Sequence, residues 1–156
     1  MTIKIGDKLP AVTLKDQNKA DVNVSGIQGK KVLLSFHPLA WTSICADQMK
    51  SLEENEAVFK SLNTVALGVS VDTIPSKKAW AEHLGITTTK LLSDFWPHGA
   101  FAQELNLFRH EIGTSERANL IIDENQQVIF LKIYDIGTLP DINEIIDFLK
   151  ESDPIG

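Results

Sequence analysis

Val32-Leu33-Leu34-Ser35-Phe36-His37-Pro38-Leu39-Ala40-Trp41-Thr42-Ser43-Ile44-Cys45 is the stretch whose reading decides the fold. Its first five residues are a compact apolar run ended by Pro38, which reads as a buried strand. Beyond Thr42, Met49, Leu52, Val58, Phe59 and Leu62 recur at helical spacing among charges, which predicts a helix over 43–62. The segment is therefore a strand, a proline-marked loop and a helix start in direct succession.

The same alternation continues outward. Val65 to Val71 is β-branched and apolar and predicts a second buried strand. Pro75 suits the first turn of a helix that carries Trp80 and Leu84 on one face. Leu91-Leu92 is a short strand candidate, and Phe101, Leu105 and Phe108 are spaced for a third amphipathic helix or turn. Leu120-Ile121-Ile122 and Val128 to Ile133 flank a polar turn and predict a hairpin. Asp141 can cap a final helix bearing Ile142, Ile145, Ile146 and Leu149. Residues 1–30 form a preface of short strands or loops. Alternating units followed by an antiparallel pair predict an α/β fold, a thioredoxin-like sandwich with a mixed central β-sheet flanked by helices.

Length and composition agree with one domain over residues 1–156. Hydrophobic residues make up 43% and charged residues 23%, ordinary globular values that exclude a disordered tail or a disulfide scaffold. The net charge of -6 argues against nucleic acid and anionic membrane as partners. No apolar stretch is long enough for a membrane span, and Lys4, Asp7 and Lys8 interrupt any secretory signal. A lone cysteine cannot form an internal disulfide, which predicts a reducing, cytoplasmic location.

With Thr42 as N-cap, Cys45 falls at the third helical position, N3. Unpaired amides and the positive end of the helix dipole there favour thiolate over thiol. The competing reading is a small buried hydrophobe, the usual fate of a lone cysteine. Only two arginines are available as cationic partners. Arg109 lies in a polar loop and reads as a solvated charge. Arg117 starts a strand and can reach neighbouring strand ends, but on spacing alone a salt bridge with Glu116 or Glu111 is favoured. His37 reads as a packing histidine rather than a group that tunes the site, and Trp41 as packing beside the loop. His83, His98 and His110 are scattered without a ligand pattern, so no metal is expected. Phosphate-binding glycine motifs and a serine elbow are absent, and no cofactor is expected.

Pro38-x-x-x-Thr42-x-x-Cys45, placed between strand and helix, resembles the active-site signature of the peroxiredoxins, in the alkyl hydroperoxide reductase/thiol-specific antioxidant superfamily. The likeness runs through most of the chain. Gly6-x-x-x-Pro10-x-x-x-Leu14, Ser70-Val71-Asp72, Ala79-Trp80-Ala81 and Glu116-Arg117-Ala118 match further family segments. Leu92-Ser93-Asp94-Phe95-Trp96-Pro97-His98-Gly99 resembles the one-cysteine bacterial branch. The resemblance implies a thiol-dependent peroxidase that reduces hydrogen peroxide or alkyl hydroperoxides. Cys45 would attack the peroxide and become a sulfenic acid. Thr42 would hydrogen-bond the peroxide, Arg117 would hold the thiolate and polarise the O–O bond, and Pro38 would shield the pocket. Many relatives carry Glu where this chain has Gln48, which leaves the placement of the arginine open.

Without a second cysteine the cycle must be one-Cys. The sulfenate is then reduced by an external thiol, either a small thiol or a thioredoxin- or glutaredoxin-like protein. A homodimer is also implied. The alternative is a peroxide-sensing, thioredoxin-like binding module without significant turnover.

Overall fold

The computed structural model describes residues 2–152. Nine strands are present: β1 (Thr13–Lys15), β2 (Asp21–Asn23), β3 (Lys31–Phe36), β4 (Thr64–Ser70), β5 (Lys90–Ser93), β6 (Phe108–Arg109), β7 (Thr114–Ser115), β8 (Arg117–Ile122) and β9 (Val128–Tyr134). The α-helices are α1 (Ser43–Glu54), α2 (Glu56–Ser61), α3 (Ile74–Leu84), α4 (Ala100–Glu104) and α5 (Ile142–Ser152). Seven strands form one sheet in the order β2-β1-β5-β4-β3-β8-β9, with β6 and β7 paired separately. β3, β4 and β5 run parallel, while β8 is antiparallel to β3 and to β9. This is the mixed sheet that the strand order predicts.

The period-two alternation of the strands divides the core. From β3, Val32, Leu34 and Phe36 join one apolar cluster with Phe101 and Leu105. Leu33 faces the other way and packs with Met49, Leu52, Phe59, Trp80, Ile145 and Leu149. Helices α1, α2, α3 and α5 thus cover one face of the sheet, and α4 lies on the other. The same parity applies to β8. Ala118, Leu120 and Ile122 belong with α4, whereas Ile121 belongs with α1. Arg117 and Asn119, two residues apart on the strand, share the Ile121 face, and so a guanidinium is directed toward α1.

Two helices differ from their sequence expectation. The helix predicted over 43–62 breaks at Asn55, with φ -106° and ψ 15°. The Asn55 side chain donates to Ser51 O at 2.8 Å, a local bond that competes with helix continuation. The third helix ends at Glu104, and Phe108 lies in β6. Asn106 takes a left-handed conformation, φ 60°, while its amide donates to Gln103 O and the Leu107 amide to Ala102 O. That pair of bonds is a Schellman termination, which a run of apolar spacings does not reveal. The final helix begins as expected, with Asp141 Oδ1 accepting from the Asn143 amide at 2.9 Å.

Gly99 links the loop after β5 to α4. Its φ is +65°, and a β-carbon there would lie 2.2 Å from Phe108 Cε1. Gly29 has a similar φ of +72° but open space around it. Gly29→Ala should cost about 1 kcal/mol from backbone conformation alone. Gly99→Ala should cost about 2 kcal/mol more, because the aromatic ring must also move. Urea unfolding of both variants checks the difference; equal midpoints would contradict the close packing.

Candidate active site

The end of β3 and the start of α1 bring the signature residues together. Thr42 occupies the N-cap position with extended backbone, and its carbonyl accepts from the Ala46 amide at 2.9 Å. Cys45 is therefore at N3, as its spacing predicts. The capping bond expected from the Thr42 side chain is absent. Its hydroxyl instead donates to Leu39 O at 2.9 Å, across the turn that leads into the helix. The Thr42 oxygen keeps its lone pairs, and the residue is exposed. Pro38 is buried beneath the turn, and Cys45 is 1% exposed.

Arg117 settles the choice between the two spacing-based partners. Glu116 pairs with Arg109 at 3.5 Å, so Arg109 is a half-buried member of the β6–β7 ribbon and not a solvated loop charge. Arg117 is 3% exposed and makes no ion pair with a carboxylate among the described residues. Its Nη1 donates to Cys45 Sγ at 3.4 Å and to Gln48 Oε1 at 2.7 Å, and its Nε donates to Ile136 O at 3.0 Å. Strand register produces this contact. Phe36 opposes Ala118, so Arg117 lies just beyond the end of β3, where the chain turns into the Cys45 helix.

Gln48 is the residue whose role the sequence left open. It sits one turn along α1 from Cys45 and braces the guanidinium. Its amide nitrogen donates to Ser35 Oγ at 2.7 Å and to Phe36 O at 3.1 Å. The chain of donors continues in one direction. Ser35 donates to Asn119 Oδ1 at 2.7 Å, Asn119 to Tyr134 at 3.4 Å, and Tyr134 to Glu144 Oε1 at 2.7 Å. Lys132, followed by Tyr134, holds the Glu144 carboxyl below its usual range. A cation and a carboxylate thus terminate a polarised file of hydrogen bonds through the sheet.

Asp72 and the pair His37–Lys77 are further polar groups here that sequence reading missed. Asp72 Oδ2 accepts from the Ala40 amide at 2.8 Å and from Ser70 Oγ at 2.6 Å, which pins the loop after Pro38. His37 is completely buried rather than a half-exposed packing residue. A signal for Lys77 existed: it lies three and four residues before Trp80 and Ala81, on the buried stripe of α3. Trp41, read as packing beside the loop, is half exposed; its φ is 69°, its Nε1 donates to Ser76 Oγ at 3.1 Å and its ring lies 5.5 Å from that of His83.

A pocket lined by Leu39, Asp72, Phe95, His98, Ile112 and Thr114 opens beside the Pro38 turn. Another cavity, bordered by Lys30, Phe59, Lys60 and Lys90, lies at the opposite ends of the parallel strands and is remote from this chemistry. Among the described residues no group of three or more His, Cys, Asp or Glu could hold a metal ion.

The AhpC/TSA family model matches residues 5–131. Alkyl hydroperoxide reductase E of Mycobacterium tuberculosis is 36% identical over 140 residues, covering 89% of this chain and 91% of that protein. A peroxiredoxin of Thermoplasma volcanium is 32% identical, covering 96% of this chain and 75% of its own length. Among solved structures, Enterococcus faecalis AhpC superposes with a TM-score of 0.87 at 25% identity, covering 97% of this chain and 93% of that one.

The geometry predicts graded effects on the thiol. Arg117→Ala should slow alkylation of Cys45 by iodoacetamide about tenfold, because the sulfur loses its charged donor. Gln48→Ala should slow it less and should cost about 2 kcal/mol of stability, because the buried Arg117 guanidinium loses an acceptor and Ser35 Oγ and Phe36 O lose their donor. Alkylation rates and urea midpoints test both; unchanged rates in the two variants would contradict the assigned contacts.

Proposed function

The chain belongs to the AhpC/TSA family and is a peroxiredoxin-type oxidoreductase, and on that premise we propose that Cys45 is its peroxidatic cysteine in a one-Cys cycle. The observation that carries this reading is the 3.4 Å contact from Arg117 Nη1 to Cys45 Sγ at the first turn of α1. The Cys45 thiolate attacks one oxygen of hydrogen peroxide or a small alkyl hydroperoxide. An S–O bond forms as the O–O bond breaks. The leaving oxygen takes a proton to become water or an alcohol, and Cys45 becomes a sulfenic acid.

The surrounding groups support that step. Arg117 carries a positive charge not neutralised by an ion-paired carboxylate, so its field acts on the sulfur and on charge passing to the leaving oxygen. Thr42 already donates to Leu39 O, so its oxygen is available to accept a hydrogen bond from the peroxide hydroxyl. Pro38, buried in the loop that leads into α1, would shield the sulfur from bulk water.

This chain has no second cysteine, so an external thiol must close the cycle. One thiol displaces water from the sulfenic acid to give a mixed disulfide. A second releases the Cys45 thiol and leaves the reductant as its disulfide. Such a reductant implies a reducing compartment such as the cytoplasm. The reading further takes residues 1–156 as one domain and includes a homodimer. Exposed Trp96, Phe95 and Ile112 offer a second copy apolar surface beside the pocket.

Cys45→Ser should abolish peroxide consumption, and one equivalent of hydrogen peroxide should convert wild-type Cys45 to a trappable sulfenate far faster than a free thiol reacts. Mass spectrometry against time reads both. Trapping no faster than a free thiol would overturn the assignment, whereas a sulfenate that no thiol can reduce would favour the sensing module. Sedimentation at micromolar protein tests the dimer, and a pure monomer would exclude it.

A further inference from the structure

A second buried cation, one turn before the Trp80 that packs in the Cys45 cluster, is not used in the reaction described. Lys77, on α3, has no exposed surface and no ion-paired carboxylate among the described residues. Its Nζ lies 3.4 Å from His37 Nε2. His37 is equally buried, and its Nδ1 lies 3.4 Å from Ser35 O. That carbonyl makes Nδ1 the donor and leaves the Nε2 lone pair to accept from the ammonium. Burial, then the charge of Lys77, holds His37 well below the ordinary imidazole range, so the ring remains neutral.

Packing ties the pair to the reactive helix. The His37 and Trp80 rings are 5.5 Å apart, and Trp80 shares an apolar cluster with Cys45 and Met49. Gly68 on β4 makes the room. A β-carbon there would lie 2.4 Å from Met49 Sδ and 3.4 Å from His37 Cε1. Met49 is one turn beyond Cys45 on the same face of α1. The charged and titratable groups facing Lys77 are Asp72 from the loop before α3, His37 after β3 and Cys45 from α1. Arg117, from β8, acts on His37. A buried ammonium without an ion-paired carboxylate costs free energy unless nearby negative charge compensates it. Burial brings Lys77 down to about 8, and Asp72 and Cys45 pull in the opposite direction.

We propose that Lys77, held by neutral His37, is a positioning residue for the Cys45 reaction, supplying a second positive charge that stabilises the thiolate and the charge developing on the leaving oxygen. The inference rests on Cys45 being the attacking thiolate. It gives the reaction an alkaline limb. As pH rises through about 8, Lys77 loses its proton and the rate falls.

Stopped-flow peroxide kinetics across neutral and alkaline pH test this with Lys77→Met and Lys77→Arg. Lys77→Met should react about tenfold more slowly at neutral pH and lack the alkaline limb. Lys77→Arg should keep the neutral rate and also lack the limb, because a guanidinium stays charged. A Lys77→Met profile superimposable on wild type overturns the proposal. Should that variant not fold, NMR titration of the Lys77 ammonium decides in wild type and Cys45→Ser. Removing the thiolate should lower the Lys77 midpoint, by reciprocity of the coupling. An unchanged midpoint with rapid peroxide reaction overturns this inference and leaves the peroxidase reading intact. A Cys45 inert to peroxide overturns both.

Discussion

The structure is organised around one constraint, a guanidinium buried in the sheet without a carboxylate partner among the described residues. Arg117 places Nη1 on Cys45 Sγ and Gln48 Oε1 and Nε on Ile136 O. A charge taken out of water must be compensated by what surrounds it. Here the compensation is two neutral oxygens and one sulfur. The sulfur is the only one of the three that can become an anion, and so the only one that could neutralise the Arg117 charge. A carboxylate in place of Gln48 would satisfy the arginine by itself and divide its field.

Gln48 can brace the arginine because it is itself held. Its amide nitrogen is fixed by Ser35 and the Phe36 carbonyl, and Ser35 leads through Asn119 and Tyr134 to Glu144. Every bond points the same way, from cation to carboxylate, so each donor polarises the next. The file crosses from α1 through β3, β8 and β9 to α5. It couples the position of the guanidinium to the packing of two helices on one face of the sheet. Beside it, Asp72 anchors the Ala40 amide, and Lys77 of α3 pairs with His37. Cys45 itself contacts Arg117 of β8 and shares an apolar cluster with Trp80 and Ala81 of α3.

In the proposed reaction this arrangement lets one cysteine suffice for the first half of the chemistry. There, binding the anion and stabilising the leaving oxygen would both fall to preorganised donors on rigid elements. What the chain lacks is a second thiol to accept the oxidised sulfur. Cys45 is only 1% exposed in this conformation.

Local pattern determined much of this by itself. The strand into Pro38, the helix start at Ser43, Cys45 at N3 and the final hairpin and helix were all legible, because alternation, capping and proline act over a few residues. Asn55 and Asn106 were not legible as breaks, because asparagine ends a helix only when a particular backbone group is in reach. The fate of Arg117 lay beyond sequence spacing, which favoured a salt bridge with Glu116 or Glu111. Only the Phe36–Ala118 register and the parity of β8 turned the guanidinium toward Cys45 and left Glu116 to Arg109. Gln48 and Lys77 share that reason. Each is a polar residue on a helix face whose partners lie 12 to 69 residues away, and such partners meet only once the sheet has formed.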